Sequence, residues 1–371
     1  MIDDPFAVSK YSVELPNQQD IPPRVVHTPL SFIRQIIINI FVILTGAYAI
    51  HITLFIVLRT IVGEQWKLIS FYNNFTHLML LPAFILLPAT LLLRRWRLSA
   101  GMLPAIITFV ILYAPIFVPS APVSMATDAQ VFSVMTFNIH AERHALDGMT
   151  AIIHEANADI VALQEVSLEA ADILAAQFAD IYPHQVFATT DNPVQGQAVL
   201  SRLPIVADES WQTSTTVPIL QRVEIAIGDE IIALYNVHAP IPFDSLTSYE
   251  PGRRSAEIDQ MIRRATQDST TVILAGDFNM SDQSDDYRHI TTHFVDSYRD
   301  IGNGFGFTFP DFRNNRLPRY VDTPMPPLPP LMRIDYIFHN EIVQAVEAHV
   351  WHTSGGSDHR PVLVYFAVDA S

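Results

Sequence analysis

The sequence predicts an α/β domain carried behind an N-terminal membrane region, and three observations lead there. Three long apolar stretches crowd the first third of the chain, and composition changes abruptly near residue 120. Beyond that point, β-branched and aromatic runs alternate with segments of helical spacing. Several runs end in Asn, Gln, Glu, Asp or His. Strands interleaved with helices mark an α/β domain, and polar residues gathered at strand ends mark a site.

The apolar stretches run from about Ile36 to Leu58, Phe75 to Leu93 and Met102 to Val118. A helix crosses a bilayer core in roughly 20 apolar residues, so the first has length to spare and the others are near the minimum. The alternative, that one or two are buried core helices, is weakened because three such stretches so near each other would overfill a small soluble core. Residues 1–30 are polar and contain Pro, which argues against a cleaved signal peptide. Basic residues set the orientation. Arg94, Arg95 and Arg97 crowd the second link, and Lys10, Arg24 and Arg34 precede the first span, so both regions are expected on the cytoplasmic face. The link at 59–74 carries only Arg59 and Lys67 and is expected to face out. Three spans then deliver the remaining chain to the extracytoplasmic side. His51, inside the first span, reads as a helix–helix partner. The expected organisation is a membrane region at 1–119, a linker at 120–130 and an α/β domain at 131–371.

Residues 120–371 hold 14 Arg, no Lys and 33 Asp or Glu, a net of −19, against −16 for the whole chain. Such a surface repels polyanions unless a cation or a local Arg cluster intervenes, which argues against strong non-specific DNA binding. The chain has no cysteine, which excludes disulfides and thiolate metal sites.

Along the domain, 131–137 alternates as a strand ending at Asn138. A helical pattern over 149–158 leads to a buried strand at 159–163 that ends at Gln164 and Glu165. A helix is expected over 168–178, then strands at 197–201, 222–227 and 231–237. Helical spacing returns at 255–266, and the apolar strand 271–275 runs into Gly276-Asp277. Strands at 336–338 and 362–367 complete the pattern.

Six short motifs fall in one order: Met135-Thr136-Phe137-Asn138-Ile139, Ala162-Leu163-Gln164-Glu165-Val166, Asn236-Val237-His238-Ala239-Pro240, Gly276-Asp277-Phe278-Asn279, Arg333-Ile334-Asp335-Tyr336 and Ser357-Asp358-His359-Arg360-Pro361. Together they resemble the endonuclease/exonuclease/phosphatase superfamily, over roughly residues 131–368. The resemblance implies the DNase I-like fold, a four-layer sandwich of two packed mixed β-sheets flanked by helices.

It also implies a divalent-metal-dependent phosphoesterase, with Mg²⁺ as the expected ion and Mn²⁺ as its substitute. Mg²⁺ takes hard oxygen ligands, and Glu165 leaving an apolar strand supplies one. In the family, the equivalents of Asn138 and Asp358 complete the metal and phosphate surroundings. Asp277 and Asn279 share a short turn in which the carboxylate can orient or deprotonate water and the amide can fix both that carboxylate and the substrate phosphate; a turn chosen for its backbone angles is the alternative. By resemblance, His359 contacts the scissile phosphate and Asp335 orients it, because an Asp–His pair favours the charged imidazole. His238 matches a second family histidine near the leaving group. Arg202, ending the run 196–201, is expected to support the site or touch substrate. The Gly-, Pro- and aromatic-rich loop 302–332 either sets specificity or packs as surface.

The resemblance leaves several substrates open. Inositol-phosphate phosphatases fit least, since their Trp before Gly-Asp and their Cys-Asp-Arg element are absent. A nuclease-like phosphodiesterase on the outer face is the leading reading. A sphingomyelinase-like lipid phosphodiesterase beside the bilayer is the alternative, so the expected partners are nucleic acid or a lipid headgroup, and the bilayer itself. No protein partner is predictable. A non-catalytic sensor retaining the fold is the reading from a different class; it would be favoured by missing catalytic residues, and none is missing.

Overall fold

The computed structural model describes residues 29–118, 129–140, 146–245, 248–311 and 329–368. Lys10, Arg24, the spacer at 119–127 and residues 312–328 of the long loop lie outside them.

Among the described residues of the N-terminal third, the regular structure is all helical. Its helices are α1 (Pro29–Val62), α2 (Lys67–Asn73), α3 (Thr76–Leu80), α4 (Pro82–Leu92) and α5 (Trp96–Tyr113). The helical runs of α1 and α5 are each long and apolar enough to cross a membrane. The second span expected over 75–93 falls on α3 and α4, which run together from Thr76 to Leu92. Pro82 cannot donate to the turn before it, so α4 starts afresh there, and Pro88 lies within α4. The run α3–α4 joins α2 at an 84° bend and counts as a third crossing only if the bent pair is one span. The helices pack on one another. Tyr48 Oη donates to the Met79 carbonyl at 2.9 Å, Ser99 Oγ to Thr90 Oγ1 at 3.0 Å, and Gly101 lets α5 approach Ala49 of α1. His51 packs edge-on to Tyr72.

Past residue 129, strand and helix alternate: β1 (Gln130–Asn138), α6 (Asp147–Ala156), β2 (Ile160–Gln164), α7 (Leu168–Phe178), β3 (His184–Ala188), β4 (Gln197–Ser201), β5 (Ile205–Trp211), β6 (Leu220–Ile227), β7 (Glu230–His238), β8 (Phe243–Ser245), β9 (Ser248–Tyr249), α8 (Gly252–Ala265), β10 (Thr271–Asp277), α9 (Asp285–Ile290), β11 (Val295–Asp296), α10 (Ser297–Ile301), β12 (Asp335–His339), β13 (Gln344–Val350) and β14 (Val362–Val368). Two six-stranded mixed sheets result, ordered β13-β14-β1-β2-β4-β3 and β11-β12-β10-β7-β6-β5.

Period-two patterning builds four layers from these strands. On β1, Phe132 and Val134 point one way and meet Val223, Leu234 and Ile273 of the other sheet. Met135 and Phe137 point the other way, onto Ile153 of α6 and Leu174 of α7. The second sheet repeats the scheme, with Ala233, Val272 and Leu274 covered by Ile258, Met261 and Ile262 of α8. Strands buried on both faces read as apolar runs, and helix, sheet, sheet and helix stack in that order. Beneath one end, Gln164 Nε2 donates to Asn236 Oδ1 at 2.7 Å and pins the sheets together.

The helical region is fastened to the domain. Arg59 Nη2 donates to Gln283 Oε1 at 2.7 Å, the Glu64 amide to Asp285 Oδ2 at 2.9 Å, and Lys67 pairs with Glu250. At the other edge, the Gly304 amide donates to the Ile116 carbonyl at 2.7 Å, and Phe305 packs on Tyr113 and Phe117. The chain-terminal ends of α1 and α5 therefore both abut the domain.

Candidate active site

Strand register decides which residues meet. In the first sheet Asn138 ends β1 opposite Gln164 of the parallel β2. In the second, Asp277 ends β10 opposite His238 on parallel β7 and opposite Asp335 at the start of antiparallel β12. The 357–359 turn precedes β14, which runs antiparallel to β1, so it arrives at the same end. All six motifs thus reach one edge of the sandwich, at the floor of a cavity of about 420 Å³ lined by residues of five of them.

Gly276 explains why the motif reads Gly-Asp. A Cβ there would lie 1.8 Å from the Val237 carbonyl oxygen, so β10 and β7 can close only over glycine. A Gly276→Ala protein is expected to lose at least about 3 kcal/mol and to displace Asp277, read as a lower thermal midpoint together with lower activity.

The floor is a chain of short polar contacts. Asn138 Nδ2 donates to Glu165 Oε1 and to Asp277 Oδ2, both at 3.1 Å. The Asn279 amide donates to Asp277 Oδ1 at 2.9 Å, and its Nδ2 donates to the Ala239 carbonyl at 2.9 Å. His359 Nδ1 faces both Asp335 oxygens at 2.9 and 3.1 Å, while its Nε2 stands 3.8 Å from Asp277 Oδ2. Ser357 Oγ donates to the Asn138 carbonyl at 2.7 Å and accepts from the His359 amide, which locks the turn to β1. His238 Nε2 lies 3.8 Å from both Glu165 Oε1 and Asp277 Oδ2, beyond hydrogen-bond reach of either. Three residues of the site that are not glycine, His140, Glu165 and Asn279, have φ of 45°, 56° and 49°.

Burial sets the protonation states. It would drive His359 toward neutral, but Asp335, Asp277 and Asp358 override it and hold its pKa well above the usual histidine range. Burial raises the Asp277 carboxyl to about 8, against the opposing pull of His359. Glu165 is likewise raised by burial. His238 is pushed down to about 3 by burial and by the positive His359 and His140, so its imidazole is neutral. Asp358 sits at about 2, because hydrogen bonding and charge from His140 and His359 outweigh its burial.

The donors fit a hard divalent ion. Glu165 Oε2 is buried with no hydrogen-bond partner among the described residues, in a floor shared with Asp277 and Asp358. A carboxylate oxygen so placed is costly unless a cation approaches it. Asp277, Asp335 and His359 also present ligand atoms within 4.8 Å of one another. In that trio, however, Asp335 and His359 already satisfy each other, so Glu165 is the better metal donor.

Of the residues singled out in the sequence, the structure brings together Asn138, Glu165, His238, Asp277, Asn279, Asp335, Asp358 and His359. Arg202 is the exception. Antiparallel pairing sets Gln197 opposite Gln164 at the site end and Ser201 opposite Ile160 at the far end, which carries Arg202 away from the cavity. There it bonds Asn157 and lies over the Tyr182 ring. His140 is a residue the sequence reading missed. Its Nδ1 bonds Asp358 Oδ1 at 3.0 Å and lies 3.8 Å from Glu165 Oε2. The available signal was its spacing, two positions beyond Asn138 at the exit of β1. Asn74 and Phe75, from the bend before α3, also line the cavity.

Residues 135–359 match the model of a family described as the Endonuclease/Exonuclease/phosphatase family. No curated protein matches. Among solved structures, an endonuclease/exonuclease/phosphatase from Bacteroides vulgatus aligns at 20% identity and a TM-score of 0.51, over 65% of this chain and 100% of the other. A humanized D. rerio TDP2 carrying 14 mutations aligns at 15% identity and a TM-score of 0.50, over 64% and 98%. At these identities the likeness is one of fold.

Proposed function

The chain belongs to the endonuclease/exonuclease/phosphatase family, and from that footing we propose that it is a membrane-anchored, divalent-metal-dependent hydrolase of phosphate esters, acting on phosphodiesters. The observation that carries this reading is the meeting of all six motifs around a buried Glu165 oxygen that has no hydrogen-bond partner among the described residues.

Glu165, with Asn138 and Asp358, would hold the ion, Mg²⁺ or Mn²⁺. When bound, such an ion neutralises phosphate charge and polarises the phosphorus–oxygen bond. The protein's own residues do the rest. His359, kept cationic by Asp335, faces the phosphate and stabilises charge developing on it. Asp277, gripped by Asn138 and Asn279, accepts the proton of the attacking water in its ionised form, which the positive His359 favours. His238, neutral in the free protein, acts as an N–H donor toward the departing oxygen.

The anchor reading is a three-pass arrangement, with the bent α2–α4 unit as the middle crossing. Support comes from the ends of α1 and α5, which both touch the domain, while Arg94 and Arg95 close the turn at the opposite end of α4. The positive-inside rule then puts the site on the extracytoplasmic side, with residues 1–119 as the membrane unit and 131–371 as the catalytic one.

Full-length protein is expected to release p-nitrophenol from bis-p-nitrophenyl phosphate with Mg²⁺, to stop in EDTA, and to resume when Mg²⁺ or Mn²⁺ is restored. Turnover unaffected by EDTA would overturn the metal reading.

A further inference from the structure

The cavity does not open onto free solvent on every side; part of its wall comes from the membrane unit. Asn74 and Phe75 lie at the 84° bend between α2 and α3, and they line the same cavity as Glu165, His238, Asp277 and His359. Facing them is the segment Ile241-Pro242-Phe243, which follows β7 directly after the His238 motif. Ile241 and Phe243 are 59% and 44% exposed, an unusual state for large apolar side chains at the mouth of a polar site. Phe243 packs edge-on against Phe71 of α2 and against Tyr249. The mouth is therefore one continuous apolar threshold built jointly by the membrane unit and the hydrolase domain.

That threshold is held in place. Lys67 pairs with Glu250, Ser70 Oγ lies 3.1 Å from Tyr249 Oη, and Ser281 Oγ donates to the Asn73 carbonyl at 3.3 Å. On the same short segment, Trp66 and Leu68 expose 53% and 59% of their surface, as aromatic and apolar residues do at the level of lipid headgroups. The polar floor thus sits below an apolar lip that is continuous with helices suited to the bilayer. A nucleic acid strand would instead meet a domain of net charge −19.

We infer that the substrate is a lipid phosphodiester of the adjacent leaflet, its hydrocarbon chain lying over Phe75, Ile241 and Phe243 while its phosphate reaches Glu165 and His359. The inference rests on the phosphoesterase reading above. The chemistry is hydrolysis: the water oxygen bonds phosphorus as one ester P–O bond breaks. One proton of the water ends on the departing alkoxide, which leaves an alcohol and a phosphate monoester. No oxidant or second substrate is needed.

A chain-length series with a single leaving group tests this. Full-length protein in phosphatidylcholine vesicles, with Mg²⁺, is given methyl, butyl and octyl p-nitrophenyl phosphate and thymidine 5′-(p-nitrophenyl phosphate). Each methylene taken from water is worth roughly fourfold, so the octyl ester should exceed the methyl ester in kcat/KM by at least about 100-fold. In Phe75→Asp and Ile241→Asp/Phe243→Asp proteins that ratio should collapse toward one. Because it is a ratio within each variant, partial misfolding cancels. Equal kcat/KM for methyl and octyl esters would overturn the inference, as would preference for the thymidine ester, the nuclease outcome. Failure to hydrolyse any ester would instead overturn the phosphoesterase reading itself.

Discussion

A His359→Ala protein is expected to lose at least about 10³-fold in kcat/KM on bis-p-nitrophenyl phosphate while remaining folded. The imidazole meets Asp335 and the Phe309 ring, but the turn itself is held by the Ser357 hydroxyl, which bonds the Asn138 carbonyl and the His359 backbone amide. Replacing its partner should be more informative. Asp335→Asn keeps the shape and removes the charge that, with Asp277 and Asp358, lifts His359 above the usual histidine range against its burial. The sign is fixed by linkage. A group raised in the folded state stays charged below its folded pKa and loses charge as pH rises through it. The alkaline limb of the rate profile should therefore move to lower pH in Asp335→Asn, along with a fall of about 10²-fold at neutral pH. The same pair contributes stability that is fully present below about pH 6.5 and fades as pH climbs through the raised value. An unmoved alkaline limb would remove Asp335 from its orienting and charging role.

The largest stability effect is expected a few ångströms behind the site. Arg333 is 3% exposed and makes two bonds to Asp296, at 2.6 and 3.0 Å, while its guanidinium lies 4.5 Å from the Tyr336 ring centroid. Asp296→Ala strands that cation in the interior and should cost about 3–5 kcal/mol, because a buried charge without its counter-charge is far worse than none. A second change, Arg333→Met, should recover part of the loss. The pH dependence follows from Asp296. Burial would raise its carboxyl, but the charge and bonds of Arg333 hold it below the usual range. This contribution is present above the unfolded aspartate pKa of about 3.9 and is lost as pH falls through the depressed folded value. Thermal midpoints of the wild type and both variants between pH 7 and pH 3 measure it; a wild-type profile matching that of Asp296→Ala would refute it.

Most of the domain was legible because its central strands carry the signal. β1, β2, β7 and β10 are apolar runs ending in one or two polar residues, and each was located to within a few positions. What escaped were the margins. β5 reads Ile-Val-Ala-Asp-Glu-Ser-Trp, and β13 reads Gln-Ala-Val-Glu-Ala-His-Val. Both lie at sheet edges, where one face meets solvent and the alternation is diluted by charge. Eight of the nine proposed site residues reached the floor because strand ends are a one-dimensional signal. Arg202 did not, since whether a strand end faces the site depends on pairing direction, and pairing is non-local. His140 carried only its spacing from Asn138 and Phe75 carried no signal, because one meets Asp358, 218 positions away, and the other enters from a different part of the fold.

The left-handed backbone at Glu165 and His140 has a consequence for how freely this sequence can drift. Histidine enters that conformation more readily than most residues, but glutamate does not, and at position 165 it costs roughly 1–2 kcal/mol where Gly or Asn would occupy it readily. At position 165 a second cost is added by the buried oxygen. On the metal-holding role proposed for Glu165, the residue best for folding and the residue best for turnover differ at that position. A lineage released from selection for activity would slide toward a hardier, silent descendant, with Asn or Gly at 165 as an early mark of the slide.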